Sequence, residues 1–148
     1  MVDVEVNVPF LALFEPEIPF NVGSLIRLSA CFSSKLVIIR PTGFVWDITR
    51  MKRSVMDYID LVEIQFFDSF DEFRKNHNGR VLATAIGSGN DYSKFQFCND
   101  DAILLGRESV GLPQYVYDNI DELITIPIKA RSLNLSLAGA ILLARASA

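Results

Sequence analysis

Short apolar runs alternate with amphipathic segments along almost the whole sequence, and this alternation limits the folds that the chain can adopt. Six runs of apolar and β-branched residues have the length of buried strands, and they span residues 8–14, 36–39, 61–67, 81–86, 102–105 and 123–126. Helical patterns lie between them, at residues 21–32, 47–58, 69–76, 113–119 and 134–146. Strands that alternate with helices are typical of a parallel sheet with helices on both faces. We therefore predict an α/β fold with a mainly parallel sheet of about six strands.

The size of the chain favours a single domain. Its 148 residues, half of them hydrophobic, are enough for one core and too few for two full domains. No uncharged apolar run approaches the roughly 20 residues that span a bilayer, and the first residues lack the pattern of a secretory signal. The two cysteines, Cys31 and Cys98, lie far apart and form no CxxC pair. We expect one domain over residues 1–148 in a reduced, cytoplasmic protein.

The residue types present exclude two kinds of chemistry. A zinc site needs about four Cys, His or carboxylate ligands at short spacings, and the sequence has no such cluster and a single histidine, His77. A nucleophile of the Ser-His or Cys-His type needs a positioned histidine. His77 lies in the turn sequence Asn-His-Asn-Gly, so we expect it to be a solvated loop residue. The sequence therefore predicts neither a metal site nor a histidine-dependent nucleophile.

Charge is distributed unevenly along the chain. The net charge of −4 argues against a protein whose whole surface binds polyanions, but residues 27–53 alone carry +5 and the remainder −9. Three cations of this segment follow the aromatic pair Phe44 and Trp46, and they are Arg50, Lys52 and Arg53. A solvated helix face is the ordinary interpretation of such a run. Its position beside aromatic residues also favours contact with RNA phosphates, which we expect to weaken with salt.

Candidate site residues follow the predicted strands. In open parallel α/β sheets, ligands bind beyond the carboxyl ends of the strands. Residues 21–27 (NVGSLIR) begin the first helix there. We predict Asn21 as its N-cap, with Gly23 and Arg27 one turn apart so that an anion can approach the guanidinium. A capped helix with a surface arginine is an equally good interpretation of the spacing alone.

Two further segments follow later strands. Residues 106–113 (GRESVGLP) match neither a Walker loop nor a dinucleotide fingerprint. Gly106 allows a close backbone approach to a ligand, and Glu108 can accept a hydrogen bond from a ribose or pair with an arginine. Residues 127–136 contain Ser132, Asn134 and Ser136, which can cap the last helix or offer hydroxyl and amide groups to a substrate.

These segments, together with residues 15–19 (EPEIP) and 41–47 (PTGFVWD), resemble the SpoU-type branch of the SPOUT methyltransferases in order and spacing over nearly the whole chain. The resemblance implies an α/β domain with a C-terminal trefoil knot, which periodicity alone would not have predicted because knots are rare. It also implies S-adenosyl-L-methionine as cofactor, a homodimer, and tRNA as partner. The motifs are most similar to those of small members that methylate the ribose 2′-hydroxyl of the wobble cytidine or uridine.

The resemblance also implies roles for particular residues. Four positions match those that surround the cofactor in the family, namely Thr84, Gly106, Ile126 and Ser132. Four match its catalytic motifs, with Arg27 as the main catalytic residue beside Asn21, Glu108 and Asn134. Because the pKa of arginine exceeds about 12, arginine is a poor base. We therefore expect Arg27 to bind the neighbouring phosphate and to stabilise the developing alkoxide, while the proton passes to phosphate or water.

Two other interpretations of the sequence remain open. One is a catalytically silent, RNA-binding relative of the same fold. The other is a phospho-acceptor signalling domain, which would use acids, a hydroxyl and a lysine after successive strands: Glu15, Glu17, Asp68, Thr84 and Lys129. The second explains neither residues 21–27 nor residues 132–136, and Asp68 is better explained as a helix N-cap.

Overall fold

A computed structural model describes residues 7–47 and 57–148. Its strands are β1 (Phe10–Phe14), β2 (Leu36–Ile39), β3 (Ile64–Phe67), β4 (Val81–Thr84), β5 (Asn90–Asp91), β6 (Ala102–Leu105) and β7 (Glu122–Thr125). Its α-helices are α1 (Pro19–Cys31), α2 (Phe70–Asn76), α3 (Gln114–Tyr117) and α4 (Leu135–Ala146), with a 3₁₀ turn at Ile59–Leu61. Apart from its ends, the helix predicted over residues 47–58 lies outside the described residues.

The strands form one sheet in the order β3-β2-β1-β6-β4-β7-β5, and every pair is parallel. This confirms the predicted parallel α/β fold, with seven strands instead of about six. The additional strand, β5, lies within residues 87–99, a segment with no strand pattern. It consists of two polar residues that pair with β7 at the edge of the sheet, so side-chain periodicity gives no sign of it.

Alternate side chains of each strand enter two separate apolar layers. On β1, Leu11 and Leu13 pack on the face covered by α1 and α4, together with buried residues such as Leu25 and Leu142. The other face of β1 carries Phe10, Ala12 and Phe14, which pack with Phe70 and Phe73 of α2. Helices therefore cover both faces of the sheet, as the strand and helix alternation predicts.

The first helix begins earlier than the sequence analysis predicts. Proline fits the first helical position because its φ is already helical and its missing N–H would have no partner there. Pro19 holds that position and Ile18 is the N-cap, so the prediction that Asn21 caps the helix is wrong. The side chain of Asn21 is instead 4% exposed, inside the first turn. On α2, the cap is likewise Ser69, which accepts from the backbone N–H of Glu72, and not Asp68.

His77 is half-buried, which contradicts the expected solvated loop. Its ring stacks on Phe73 at 5.6 Å and meets Phe10 edge-on at 5.3 Å between centroids. Its Nε2 atom lies 3.2 Å from the carbonyl oxygen of Arg80. Burial, the largest effect, lowers the pKa of His77 below its ordinary value. The predicted helix does end at Asn76, but the His77 ring packs on Phe73, one turn earlier, and on Phe10, which comes from a distant part of the chain.

We expect the protein to lose stability as the pH falls below about 6.5, the ordinary pKa of histidine. The folded chain, in which the pKa of His77 is lower, binds a proton at this residue less readily than the unfolded chain does. The contribution of neutral His77 to the free energy of unfolding is therefore complete above that pH and declines as the pH falls toward the folded pKa. Denaturant unfolding at pH 7.5, 6.5 and 5.5 measures this slope. His77→Gln, which does not titrate, should show a shallower loss; an unchanged slope would assign the effect to other groups.

A buried ion pair attaches the segment before β6 to the start of β4. The side chain of Asp101 is 0% exposed and its Oδ1 accepts from Nε of Arg80 at 2.9 Å. Its Oδ2 accepts from Nη2 of Arg80 at 2.8 Å and from the backbone N–H of Cys98 at 2.7 Å. The guanidinium also lies over the ring of Phe95, 5.1 Å from its centroid. Asp101 thereby satisfies three donors from two different segments.

Replacing Asp101 with alanine is expected to lower the free energy of unfolding by about 3 kcal/mol, because it leaves a partly buried guanidinium without its counter-charge. Urea denaturation measures the change. Asp68→Ala is the matched control, since Asp68 pairs with Arg40 at 3.1 Å but its side chain is 79% exposed. Exposed pairs contribute little, so the control should stay close to the unchanged protein. Equal losses of unfolding free energy in the two variants would show that burial does not make the Asp101 pair more stabilising than an exposed one.

Candidate active site

A cavity lies beyond the carboxyl ends of β4, β6 and β7, beside the first turns of α1 and α4. Its volume of about 660 Å³ is within the range of small-molecule sites. Seven of the predicted site residues line it, namely Asn21, Thr84, Gly106, Glu108, Ile126, Ser132 and Asn134. The structure brings these residues together from segments more than a hundred positions apart. This meeting follows from the parallel sheet, in which all strands end at the same edge.

Glu108 has one satisfied and one free carboxylate oxygen. Oε2 accepts a hydrogen bond from the backbone N–H of Glu17 at 2.7 Å. Oε1 is buried and has no hydrogen-bond partner among the described residues. Burial, the largest effect, raises the pKa of Glu108 above its ordinary value. A buried acceptor without a partner is costly, so a donor group that reached this oxygen would be held there.

The first turns of α1 and α4 are joined by amide and hydroxyl groups. Oδ1 of Asn21 accepts from Nδ2 of Asn134 at 3.3 Å and from the hydroxyl of Ser136 at 3.1 Å. Oδ1 of Asn134 in turn caps α4, accepting from the backbone N–H groups of Ser136 and Leu137. The sequence analysis left open whether these residues cap a helix or face a substrate. Asn134 caps the helix and also lines the cavity.

Thr84 lies at the end of β4, on the side of the cavity next to α3. Its hydroxyl donates to the carbonyl oxygen of Leu104 at 3.1 Å, while its own carbonyl accepts from the hydroxyl of Tyr117 at 3.2 Å. Because the hydroxyl proton is already used, Thr84 can offer a ligand an acceptor but not a donor.

Gly106 directly follows β6, where the chain turns into a tight hairpin, residues 107–111. Backbone hydrogen bonds join Arg107 and Gly111 in both directions, at 3.3 and 2.9 Å. A Cβ atom on Gly106 would lie 2.7 Å from the carbonyl carbon of Gly111 and 2.9 Å from the nitrogen of Leu112. Only glycine fits this position without moving the hairpin.

Arg27 is exposed and is not among the residues that line the cavity. Its guanidinium carbon lies 4.9 Å from the centroid of the Tyr58 ring. The structure of one chain thus separates the residue predicted as the main catalytic one from the other predicted site residues. Arg50, Lys52 and Arg53, the predicted RNA contacts, lie outside the described residues.

Arg107 and Ser109 received no role in the sequence analysis, and Glu17 appeared there only in the EPEIP motif and in the phospho-acceptor interpretation. Glu17 accepts hydrogen bonds from Ser109, and Arg107 lines the cavity and donates from Nε to the carbonyl oxygen of Gly111 at 3.0 Å. Their positions directly after β1 and β6 are the signal that could have identified them. No pattern in the sequence, however, shows that residues 92 positions apart are in contact.

Residues 7–47 and 57–148 contain no group of three or more His, Cys, Asp or Glu side chains placed to hold a metal ion. Nor does any helix in those ranges have the length and apolarity needed to cross a membrane.

Comparison with known proteins places this arrangement among RNA methyltransferases. The model of the SpoU rRNA Methylase family matches residues 9–144. A tRNA (cytidine(34)-2′-O)-methyltransferase from Ancylobacter novellus is 39% identical over 141 residues, which cover 92% of this chain and 89% of that protein. A solved structure concerned with the 2-OH methylation of C/U34 on tRNA has a TM-score of 0.88 at 33% identity, covering 95% of this chain and 94% of that one. An AdoMet-bound rRNA methyltransferase from Sinorhizobium meliloti shares the fold at 24% identity, with a TM-score of 0.83 over 96% of this chain and 56% of that one.

Proposed function

The chain belongs to the SpoU methylase family of SPOUT methyltransferases, and from this membership we propose that it methylates the ribose 2′-hydroxyl of nucleotide 34, a cytidine or uridine, in tRNA. The observation that carries the proposal is the cavity that seven of the predicted site residues line. Family membership also removes the phospho-acceptor interpretation of the strand-end acids.

The residues around the cavity fit S-adenosylmethionine. This cofactor carries donor groups in its ammonium, adenine amino and ribose hydroxyl groups, and the cavity offers unfilled acceptors in Oε1 of Glu108 and the hydroxyl oxygen of Thr84. Gly106 allows the hairpin backbone to pack closely beside the cavity, where a side chain would collide with it, and Ile126 supplies an apolar wall. When bound, S-adenosylmethionine supplies a methyl group that is activated by its sulfonium.

The chain's own residues then have to hold the ribose and stabilise the negative charge that develops on its 2′-oxygen. Positioning of reactants supplies much of the rate of such a transfer. Within this proposal, Asn21 and Asn134 orient the nucleotide at the mouth of the cavity. Arg27 binds the phosphate next to the reacting ribose and stabilises the oxygen as it loses its proton to phosphate or water, since a guanidinium is suited to bidentate phosphate contact and not to proton abstraction.

The location of Arg27 calls for a second copy of the chain. Arg27 lies outside the cavity of its own chain, whereas apolar side chains are exposed near the first turns of α1 and α4: Phe20 is 72%, Leu137 56% and Ile18 43% exposed. Exposed apolar groups of this kind favour association. We propose a homodimer in which Arg27 of one protomer serves the cavity of its partner.

The dimer also bears on how an acidic chain binds RNA. The positive segment, residues 27–53, would be present twice, and two weak sites on one particle bind a polyanion more tightly than one. Arg50, Lys52 and Arg53 remain proposed phosphate contacts of this segment. The cytoplasm, where tRNA is available, is the proposed location.

The decisive experiment incubates the protein with tRNA and S-adenosylmethionine labelled at the methyl group, and maps the label. We expect it on the 2′-oxygen of nucleotide 34. A synthetic tRNA with a 2′-deoxyribose at that position is the matched control and should accept no label. Label elsewhere would contradict the assigned position. Cofactor binding by calorimetry without any transfer would favour the catalytically silent relative instead.

A further inference from the structure

Two segments that border the cavity hold each other through a reciprocal pair of contacts. Ser109 donates to Oε1 of Glu17 from its backbone N–H at 2.9 Å and from its hydroxyl at 2.7 Å. In return, the backbone N–H of Glu17 donates to Oε2 of Glu108 at 2.7 Å. The Ser109 hydroxyl also lies 2.9 Å from Oε2 of Glu17, and it shares its proton between the two carboxylate oxygens. These contacts join residues 91 and 92 positions apart, one segment following β1 and the other following β6.

Contacts with Glu17 hold the 107–111 hairpin in position, whereas contacts within the hairpin maintain its conformation. The bonds between Arg107 and Gly111 run within the hairpin and do not restrain its position over the cavity. The bonds from Ser109 and Glu108 reach residue 17 and do restrain it. Charge-assisted hydrogen bonds of this kind are stronger than neutral ones. They also hold the pKa of Glu17 below its ordinary value, chiefly through the Ser109 backbone N–H, so the carboxylate stays ionised at neutral pH.

The same contacts hold the parts of the site that a ligand meets. Glu17 is followed directly by Ile18, which lines the cavity, and Ser109 lines it together with its neighbours Glu108 and Val110. The hydroxyl of Ser109 and the carboxylate of Glu17 lie at the surface, where they add little to the stability of the core. Their effect is therefore local, on how well the cavity is formed before a ligand arrives. A preformed site loses less free energy on binding than one that must be ordered.

We propose that Glu17 is a positioning residue for cofactor binding: by holding Ser109 it keeps the 107–111 hairpin, and with it the free oxygen of Glu108, in place over the cavity. This inference rests on the proposed function, because it takes S-adenosylmethionine as the ligand. It assigns Glu17 no contact with the reacting atoms.

The test compares Glu17→Ala with the unchanged protein by calorimetry with S-adenosylmethionine. We expect the dissociation constant to rise about tenfold, the loss of a hydrogen bond to a charged group. In methylation assays the KM for the cofactor should rise while kcat at saturating cofactor changes little. Glu17→Gln retains an acceptor oxygen and should recover part of the affinity. The combined Glu17→Ala, Ser109→Ala variant should bind the cofactor no more weakly than Glu17→Ala alone, because the two substitutions remove the same side-chain contact.

Asp91 supplies a matched control. It accepts from the backbone N–H of Ser93 at 2.9 Å and from its hydroxyl at 2.8 Å, the same arrangement as Glu17 with Ser109, but it does not line the cavity. Asp91→Ala should leave cofactor affinity unchanged. If Glu17→Ala binds as tightly as the unchanged protein, or if its affinity loss is matched by Asp91→Ala, the inference is wrong.

A measurement without cofactor separates this inference from the proposed function. Amide hydrogen exchange in the ligand-free protein should be faster at Ser109 in Glu17→Ala, while the thermal midpoint stays nearly the same. Unchanged exchange at Ser109 would overturn the positioning role even if the enzyme methylates tRNA. An unchanged protein that binds no S-adenosylmethionine would instead refute the proposed function, whatever the exchange shows.

Discussion

Replacing Arg27 with alanine is expected to slow methyl transfer by about 100- to 1,000-fold, the range seen when one group that stabilises developing charge is removed. The affinity for S-adenosylmethionine should be preserved, because Arg27 does not line the cavity. Single-turnover methylation at saturating cofactor measures the rate, and calorimetry measures the affinity. A large loss of affinity with an unchanged rate would contradict the role given to Arg27.

The lysine variant separates charge from shape. Arg27→Lys keeps the positive charge and loses the planar fork that holds a phosphate through two hydrogen bonds. We expect a rate between those of the alanine variant and the unchanged enzyme. A nearly normal rate that rises with pH would show that a fork-shaped contact is not required and that a lysine can take the proton.

Mixed dimers test whether Arg27 acts across the interface. One subunit carries Arg27→Ala and the other carries Gly106→Ala, so that neither variant has a complete site by itself. If Arg27 serves the partner's cavity, one site of each mixed dimer is intact, and a random equal mixture should recover up to about a quarter of the original activity. If Arg27 serves its own chain, no mixed dimer contains an unaltered site, and at cofactor concentrations well below the raised dissociation constant of Gly106→Ala the mixture should stay inactive.

Gly106→Ala is expected to weaken cofactor binding by at least about tenfold. The new methyl group would meet backbone atoms of Gly111 and Leu112 at less than 3 Å, and backbone cannot turn aside as a flexible side chain can. Overpacking of this kind costs about 1–3 kcal/mol, and each 1.4 kcal/mol corresponds to a factor of ten. Because the displaced hairpin lines the cavity, we expect the cost to appear in the dissociation constant measured by calorimetry.

Gly87→Ala is the control for that substitution. Gly87 has a φ of +77° and no atom lies within 4 Å of where its Cβ would be, so alanine there adds backbone strain without a collision. This variant should lose some stability and keep its cofactor affinity. If both variants bind equally well, collision with the hairpin is not what excludes a side chain at residue 106.

Local pattern was sufficient for the strands and for most helix positions, because burial dictates residue type directly. β2 and β6 have the predicted bounds, since each is a continuous apolar run covered on both faces. The start of α1 was placed too late because Asn21 has the chemistry of a cap, whereas Pro19 decides where the helix begins. β5 could not be predicted, because pairing with β7 and not hydrophobicity makes its two polar residues a strand.

The candidate site was predictable only in part, for a related reason. Thr84 ends β4, and Gly106 and Ile126 directly follow β6 and β7 of the same parallel sheet, so their meeting follows from topology. The contact between Glu17 and Ser109 depends on the conformation of two loops, and nothing in either segment alone specifies it. The position of Arg27 over Tyr58 likewise results from packing between distant segments. The resemblance to the family identified the candidate site residues but could not give the distances between them.

The central place of β6 in the sheet has a consequence for how the protein is made. β6 alone connects the group β3-β2-β1 to the group β4-β7-β5. As the chain is synthesised, the first three strands can pair with one another, but the edge of β1 stays open until Ala102–Leu105 has emerged. Gly106 and Glu108 follow immediately, so the step that joins the halves also brings in the residues of the cavity. A partly assembled chain therefore has no cofactor site, and cofactor binding favours the complete sheet over every earlier state.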